Sequence, residues 1–216
     1  MTTPELILYH FPGACSRVSV CALEMAELPY TLRLVNIAAG EQAAPAYRAV
    51  SALGKVPALL VDGEPLLESS AILTLINALS PDASIFPDDG SPRLRAEGVG
   101  GMSFCGGTLH PLVRGILNPG RVTTGDGEGV RERSRELAAK ALAYAETRIA
   151  ERGWWLGAVS IVDVYLDWAF GVARKGRFDV AAYPELIRLE ERLTADLPAY
   201  GRMLAIEARS QHDLRP

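Results

Sequence analysis

The sequence predicts an α+β chain of two domains, a βαβαββα module followed by an all-α domain. Strand-like and helix-like apolar patterns alternate over residues 5–79, a stretch rich in proline interrupts them at 80–92, and only helical periodicity follows. Residues 5–9 (Glu-Leu-Ile-Leu-Tyr) form a short apolar run that suits a strand. Residues 16–27 carry Val18, Ala22, Met25 and Ala26 at near-helical spacing. Thr31–Val35 alternates polar and apolar side chains as a second strand does, and Glu41–Val50 supplies a short helix before the Gly54-Lys55 turn. Val56–Val61 and Pro65–Glu68 flank Asp62-Gly63-Glu64, a hairpin signal because Asp-Gly tolerates positive φ. A helix from Ser69 to about Leu79 closes the module. The first two strands, joined through a helix, should be parallel and the last two antiparallel.

The second half reads differently. Arg131–Ala150 places Leu137, Ala141, Ala145 and Ile149 at four-residue intervals, with Arg, Glu and Lys between them on a solvated face. Ile161–Val172 is apolar almost all round, with only Asp163 and Asp167 charged, and should be a buried central helix opened by the capping box Ser160-Ile-Val-Asp163. Pro184–Leu197 and Ala199–Arg209 add two amphipathic helices. Gly98–Gly107 also reads as helix. Its five glycines each cost up to about 1 kcal/mol relative to alanine, so a close backbone approach or a need for open space is expected there. This stretch lacks the pattern of a phosphate-binding loop, and Gly125-Asp-Gly-Glu-Gly129 lacks the far glutamate of a calcium loop. The expected domains are 1–81 and 93–216, with a linker at 82–92.

Composition narrows the function classes. The chain has 216 residues, 49% hydrophobic and 22% charged, enough for a sizeable core. Its net charge of -4 and the absence of a basic stripe argue against nucleic acid. No apolar run reaches the roughly 20 residues that span a bilayer. The opening Met1-Thr-Thr-Pro-Glu5 lacks the regions of a secretion signal, so a cytoplasmic location is expected. Three cysteines, Cys15, Cys21 and Cys105, include no C-x-x-C, which suggests free thiols with neither a disulfide framework nor a metal cluster.

The segment His10-Phe-Pro-Gly-Ala-Cys-Ser-Arg17 places a thiol and a hydroxyl where a strand hands over to a helix. Unpaired amides and the positive end of the dipole there favour an anion, either the Cys15 thiolate or that of a bound thiol. A turn with Ser16 as cap and Cys15 as an ordinary buried thiol is the alternative. Pro57 either starts a strand in trans or follows a cis bond. Ser69 is the expected N-cap of its helix, whose start suits a carboxylate.

Taken together, these features resemble a known family. The βαβαββα module is similar to the thioredoxin fold. Val56-Pro57-Ala58-Leu59 and Glu68-Ser69-Ser70-Ala71-Ile72 resemble the glutathione-binding segments of cytosolic glutathione transferases. Pro12-Gly-Ala-Cys-Ser16 and Leu109-His110 resemble signatures of the bacterial beta class of that family, and the resemblance spans essentially the whole chain. It implies that Val56, beside a cis Pro57, pairs its backbone with the cysteinyl backbone of glutathione. Glu68 and Ser69 would hold the γ-glutamyl end. Cys15, Ser16 and His110 would surround the sulfur, with Ser103 a further polar contact. Glutathione is then a co-substrate, no metal is needed, and a homodimer is expected. The chain departs from the pattern at Asn36-Ile-Ala-Ala-Gly40, which lacks the lysine usual for the glycyl carboxylate. It departs again at Gly101, where relatives carry a bulky aromatic residue; an unusually open second-substrate pocket or a close dimer partner is expected there. The expected activity is transfer of the glutathione thiolate to a hydrophobic electrophile, with a role in detoxification. A thiol-disulfide oxidoreductase using Cys15 and a non-catalytic ligand carrier are the alternatives. His10 and His212 receive no role.

Overall fold

The computed structural model describes residues 3–214, so the outermost residues of both expected domains (1–2 and 215–216) lie outside the described residues. It divides into two compact units, Met1–Ile85 with Pro198–Pro216, and Phe86–Leu197. The first unit contains β1 (Leu6–His10), α1 (Ser16–Ala26), β2 (Thr31–Leu34), α2 (Pro45–Arg48), β3 (Ala58–Val61), β4 (Glu64–Leu67) and α3 (Ser69–Leu79). Its sheet has the order β2-β1-β3-β4, with β2 parallel to β1 and the other pairs antiparallel. This is the thioredoxin-like βαβαββα arrangement expected from the sequence.

Side-chain alternation in β1 sorts the two faces of the sheet. Leu6, Leu8 and His10 are buried on one side, while Tyr9 on the other packs against Val35, Tyr47 and Val56. The β3–β4 hairpin turns on Asp62 and Gly63, both at positive φ (50° and 87°), as a two-residue hairpin loop requires. The expected helix over 41–50 is instead a 3₁₀ turn, Glu41–Ala43, followed by α2. Ala44 is extended between them, because the ring of Pro45 disfavours helical dihedrals in the residue before it. The third strand starts at Ala58 and not at Val56, since Pro57 has no amide to give a ladder and the Val56–Pro57 bond is cis.

The second unit is helical: α4 (Pro92–Ser103), a π-helical turn (Phe104–Leu109), α5 (His110–Leu117), α6 (Glu128–Arg152), α7 (Ile161–Lys175), α8 (Pro184–Ile187) and α9 (Leu189–Asp196). Among the described residues no helix is long and apolar enough to cross a membrane. The central helix α7 is buried nearly all round and packs against α4, α5 and α9. Its capping box is formed: Asp163 Oδ2 accepts from the Ser160 amide at 2.9 Å and hydroxyl at 2.7 Å, and Oδ1 accepts from the Trp155 amide at 2.7 Å. Burial pushes the Asp163 carboxyl up to about 6, with these hydrogen bonds opposing the shift. The single helix expected over 184–197 is broken at Arg188.

Three further expectations are corrected. The last helix, α10 (Pro198–Asp213), was assigned to the helical domain, yet it packs on α1 and completes the first unit. The glycine-rich helix is α-helical only to Ser103. Beyond it the backbone widens, because Pro111 cannot donate to the carbonyl of Gly107 four residues earlier. Gly101 does not open a pocket within its unit. It is buried, and a Cβ there would lie 2.6 Å from Trp155 Nε1 and 2.7 Å from Val162 Cγ1, so the indole fills the space an aromatic side chain would take. Nothing lies within 4 Å of the corresponding position at Gly100 or Gly107.

Candidate active site

In the first unit the strand-to-helix turn after β1 carries Cys15 at the N-cap position of α1, following Gly13 at φ 77°. Only glycine adopts that dihedral without steric cost. Cys15 is 8% exposed, and its Sγ–H donates to the carbonyl of Val56 at 3.6 Å. Two residues 41 positions apart in the sequence are thus brought together. The contact is one that the protonated thiol makes.

Val56 is buried just before β3, with the cis bond to Pro57 between it and the strand. The first turn of α3 has amides with no partner within the helix. Ser69 is the first helical residue and not the N-cap expected from the sequence. Glu68 holds the cap position with φ 70° and ψ 126° and makes no side-chain cap bond. Both lie toward solvent, Glu68 exposed and Ser69 half-buried. A bound carboxylate would meet these amides directly.

Ser16 has a different task from the one expected. It is fully buried, and its hydroxyl lies 2.8 Å from His10 Nδ1 and within hydrogen-bond reach of the Phe11 amide (3.3 Å) and carbonyl (3.4 Å). It braces the turn from inside. His10 in turn places Nε2 3.1 Å from Glu207 Oε1 of α10, off the line of a straight hydrogen bond. Glu207 accepts from the Gly13 amide with both oxygens, at 3.2 and 3.1 Å. Sequence reasoning missed both residues. The signals were present: His10 falls on the apolar face of its strand, and Glu207 shares a helical stripe with the buried Tyr200, Met203 and Ser210.

In the second unit His110 is half-buried at the start of α5. Its Nδ1 is 3.1 Å from the Tyr165 hydroxyl, and its ring meets Trp168 edge to face at 4.5 Å between centroids. A ring flanked by a phenol and an indole is held in one pose. Tyr165 and Trp168, three apart on α7, were hidden in the sequence by the uniformly apolar run around them. Ser103 is exposed at the end of α4. The other thiols differ from Cys15. Cys21 and Cys105 are fully buried, and burial raises the Cys105 pKa far above the ordinary thiol range, so it is inert. No group of His, Cys, Asp or Glu among the described residues is arranged to hold a metal.

Comparison with known proteins agrees with the fold. The model of the glutathione S-transferase N-terminal domain matches residues 4–77. A maleylacetoacetate isomerase of Pseudomonas aeruginosa is 32% identical over 91% of this chain and 93% of its own length. Glutathione S-transferase GST-4.5 of Xanthomonas campestris is 30% identical over 92% and 97%. Among solved structures, a sphingomonad glutathione S-transferase complexed with glutathione superposes with a TM-score of 0.81 at 30% identity, covering 94% of this chain and 98% of that one. A Sulfitobacter homolog with bound glutathione gives 0.83 at 28% identity, covering 93% and 97%. The fold is that of the glutathione transferases, and the chain belongs to the glutathione S-transferase family.

Proposed function

We propose that this chain binds glutathione along Val56 and Pro57, receives its γ-glutamyl end at Glu68 and Ser69, and directs its thiolate at an apolar electrophile. The contact between Cys15 Sγ and the Val56 carbonyl carries the reading, because it puts the thiol beside the backbone that would hold the cysteinyl residue of glutathione. Cys15 then neighbours the ligand sulfur. Ser16 acts through the turn. Preorganised donors at helix starts lower the cost of forming the thiolate, and alignment with the electrophile supplies most of the remaining rate. The protein is read as a cytoplasmic homodimer; light scattering at working concentration would return twice the chain mass, and a monomer would refute that part.

A second reading is glutathione-dependent isomerisation, favoured by the isomerase name of the 32%-identical relative. There the thiolate would add to a conjugated double bond, the adduct would rotate, and the sulfur would leave with glutathione regenerated. Both readings need the same bound thiolate. They differ in whether a new carbon-sulfur bond survives.

The test has two steps. Glutathione is titrated by calorimetry, and no binding at millimolar concentration would sink both readings. Mass spectrometry of products from an aryl halide and from a cis-configured conjugated diacid then separates them, a stable conjugate favouring transfer and an isomerised acid with intact glutathione favouring isomerisation. Cys15→Ala addresses the oxidoreductase alternative: disulfide reduction lost with conjugation retained would assign Cys15 a redox role, and full retention of reduction would remove it.

A further inference from the structure

The Glu207 carboxylate is buried on α10, yet nearly every group that meets it belongs to the Cys15 turn or its flanks. His10 ends β1, Gly13 lies in the turn, and Arg17 sits in the first turn of α1 with Nε 3.9 Å from Oε2. Arg17 is itself held by Met203 of α10, its Nε donating to Sδ at 3.3 Å. A carboxylate removed from water is costly unless matched by donors and opposite charge, so this placement has to be accounted for by its partners. The partners are a backbone amide, an imidazole and a guanidinium, all within four residues of Pro12 or Gly13. Ser16 closes the ring from the other side, since its hydroxyl joins His10 to the Phe11 backbone.

We propose that Glu207 is a positioning residue for the Cys15 turn: through Gly13 and His10 it fixes how far the Cys15 thiol is presented to a glutathione sulfur or any other thiol reagent. The functional meaning rests on the glutathione reading, but the device is a property of the turn itself. With the clasp in place, Cys15 stays 8% exposed against Val56. Without it, the turn keeps the Ser16 contacts and the bond from the Ala14 amide to the Phe11 carbonyl but loses the carboxylate at Gly13.

The chain carries its own controls, because Cys21 and Cys105 are fully buried elsewhere, the former on α1 and the latter in the second unit. Full-length wild type, Glu207→Ala and Glu207→Gln are pulsed with N-ethylmaleimide, and labelling of each cysteine is followed by peptide mass spectrometry. In Glu207→Ala, Cys15 labels about tenfold faster, the equivalent of one lost hydrogen bond, while Cys21 and Cys105 stay at wild-type rates. Glu207→Gln keeps a carbonyl for Gly13 and restores most of the protection. Glutathione affinity by calorimetry falls about tenfold in Glu207→Ala and recovers in Glu207→Gln. An unchanged Cys15 rate, or acceleration of all three cysteines together as in global unfolding, would overturn the proposal. If Glu207→Ala does not accumulate as folded protein, His10→Gln reports on the same clasp, and selective labelling of Cys15 is again the expected result. Should wild type fail to bind glutathione, the labelling rates still judge the clasp, and only the glutathione reading falls.

Discussion

Gly100 and Gly101 are neighbours on α4 whose substitution by alanine should have opposite effects. Alanine in place of glycine inside a helix stabilises by up to about 1 kcal/mol, through propensity and loss of freedom in the unfolded chain. At Gly100 nothing lies within 4 Å of the added methyl, so that gain should appear undiminished. At Gly101 the methyl would lie 2.6 Å and 2.9 Å from the Trp155 ring and 2.7 Å from Val162. The indole has little room to give way. Phe104 stacks on it at 4.9 Å between centroids, the Arg148 guanidinium lies over it at 5.0 Å, and its own amide and carbonyl are tied to Asp163 and Arg148. Overpacking of a well-filled site costs about 1–3 kcal/mol, and such confinement argues for the upper end. After the propensity gain, Gly101→Ala should destabilise by about 2 kcal/mol. For a chain of this size that is a fall of very roughly 4–8 °C in the midpoint of thermal unfolding, against a rise of a few degrees for Gly100→Ala. Calorimetry of the two variants and wild type at one pH measures both. If the two substitutions shift the midpoint in the same direction, the packing argument for Gly101 is wrong.

Two more predictions concern Asp163 and Ser69. The Asp163 carboxyl lies at about 6 in the folded protein against an ordinary value of 3.8, so the folded state holds the proton more tightly. Its contribution to stability is full below about pH 4 and is lost as pH rises through 6; between pH 5 and pH 7 it should amount to about 1 kcal/mol in denaturant midpoints. Asp163→Asn should abolish that part of the pH dependence and, by setting an amide NH₂ against the Ser160 donors, destabilise by about 2–4 kcal/mol at either pH. An unaltered pH profile in the variant would show that another group titrates. Ser69→Ala should weaken glutathione binding by about tenfold, one hydrogen bond to a charged group, with little change in the unfolding midpoint because Ser69 is the first helical residue and not the cap of α3. A calorimetric Kd equal to that of wild type would remove Ser69 from the γ-glutamyl site.

Sequence patterns located the elements that rest on local chemistry. The Asp62-Gly63 hairpin, the apolar face of β1, the Ser160–Asp163 box and the uniformly apolar α7 are each dictated by residues a few positions apart, so spacing alone exposes them. The turn that carries Cys15 and the start of α3 at Ser69 were also legible as local structure, because turn and helix-start signals mark them. What escaped depends on distance. The Glu207 carboxylate meets Gly13 across 194 positions, and nothing in the spacing of α10 says which helix it covers. Gly101 misled for a related reason: a missing side chain looks like open space until the Trp155 that fills it is seen. The break at Ala44 was readable but overlooked, since Pro45 follows it directly. Ser16 shows the reverse error, a residue of the right type in the right motif whose hydroxyl turns inward because His10 stands behind it.

Packing of α10 on α1 has a consequence for synthesis. Arg202 reaches the Glu24 carbonyl and carboxylate, Arg17 lies beside Met203 and Tyr200, and Glu207 closes on Gly13, so the first unit is assembled from both ends of the chain. On the ribosome the sheet and α1 emerge first, but the surface that α10 covers stays bare until the whole helical unit has been translated. A nascent chain stalled in the linker therefore carries a thioredoxin-like unit with its Cys15 turn unclasped. Fragments cut at the apparent domain boundary inherit the same defect, and an isolated N-terminal domain needs the residues of α10 supplied in trans or by permutation to be whole.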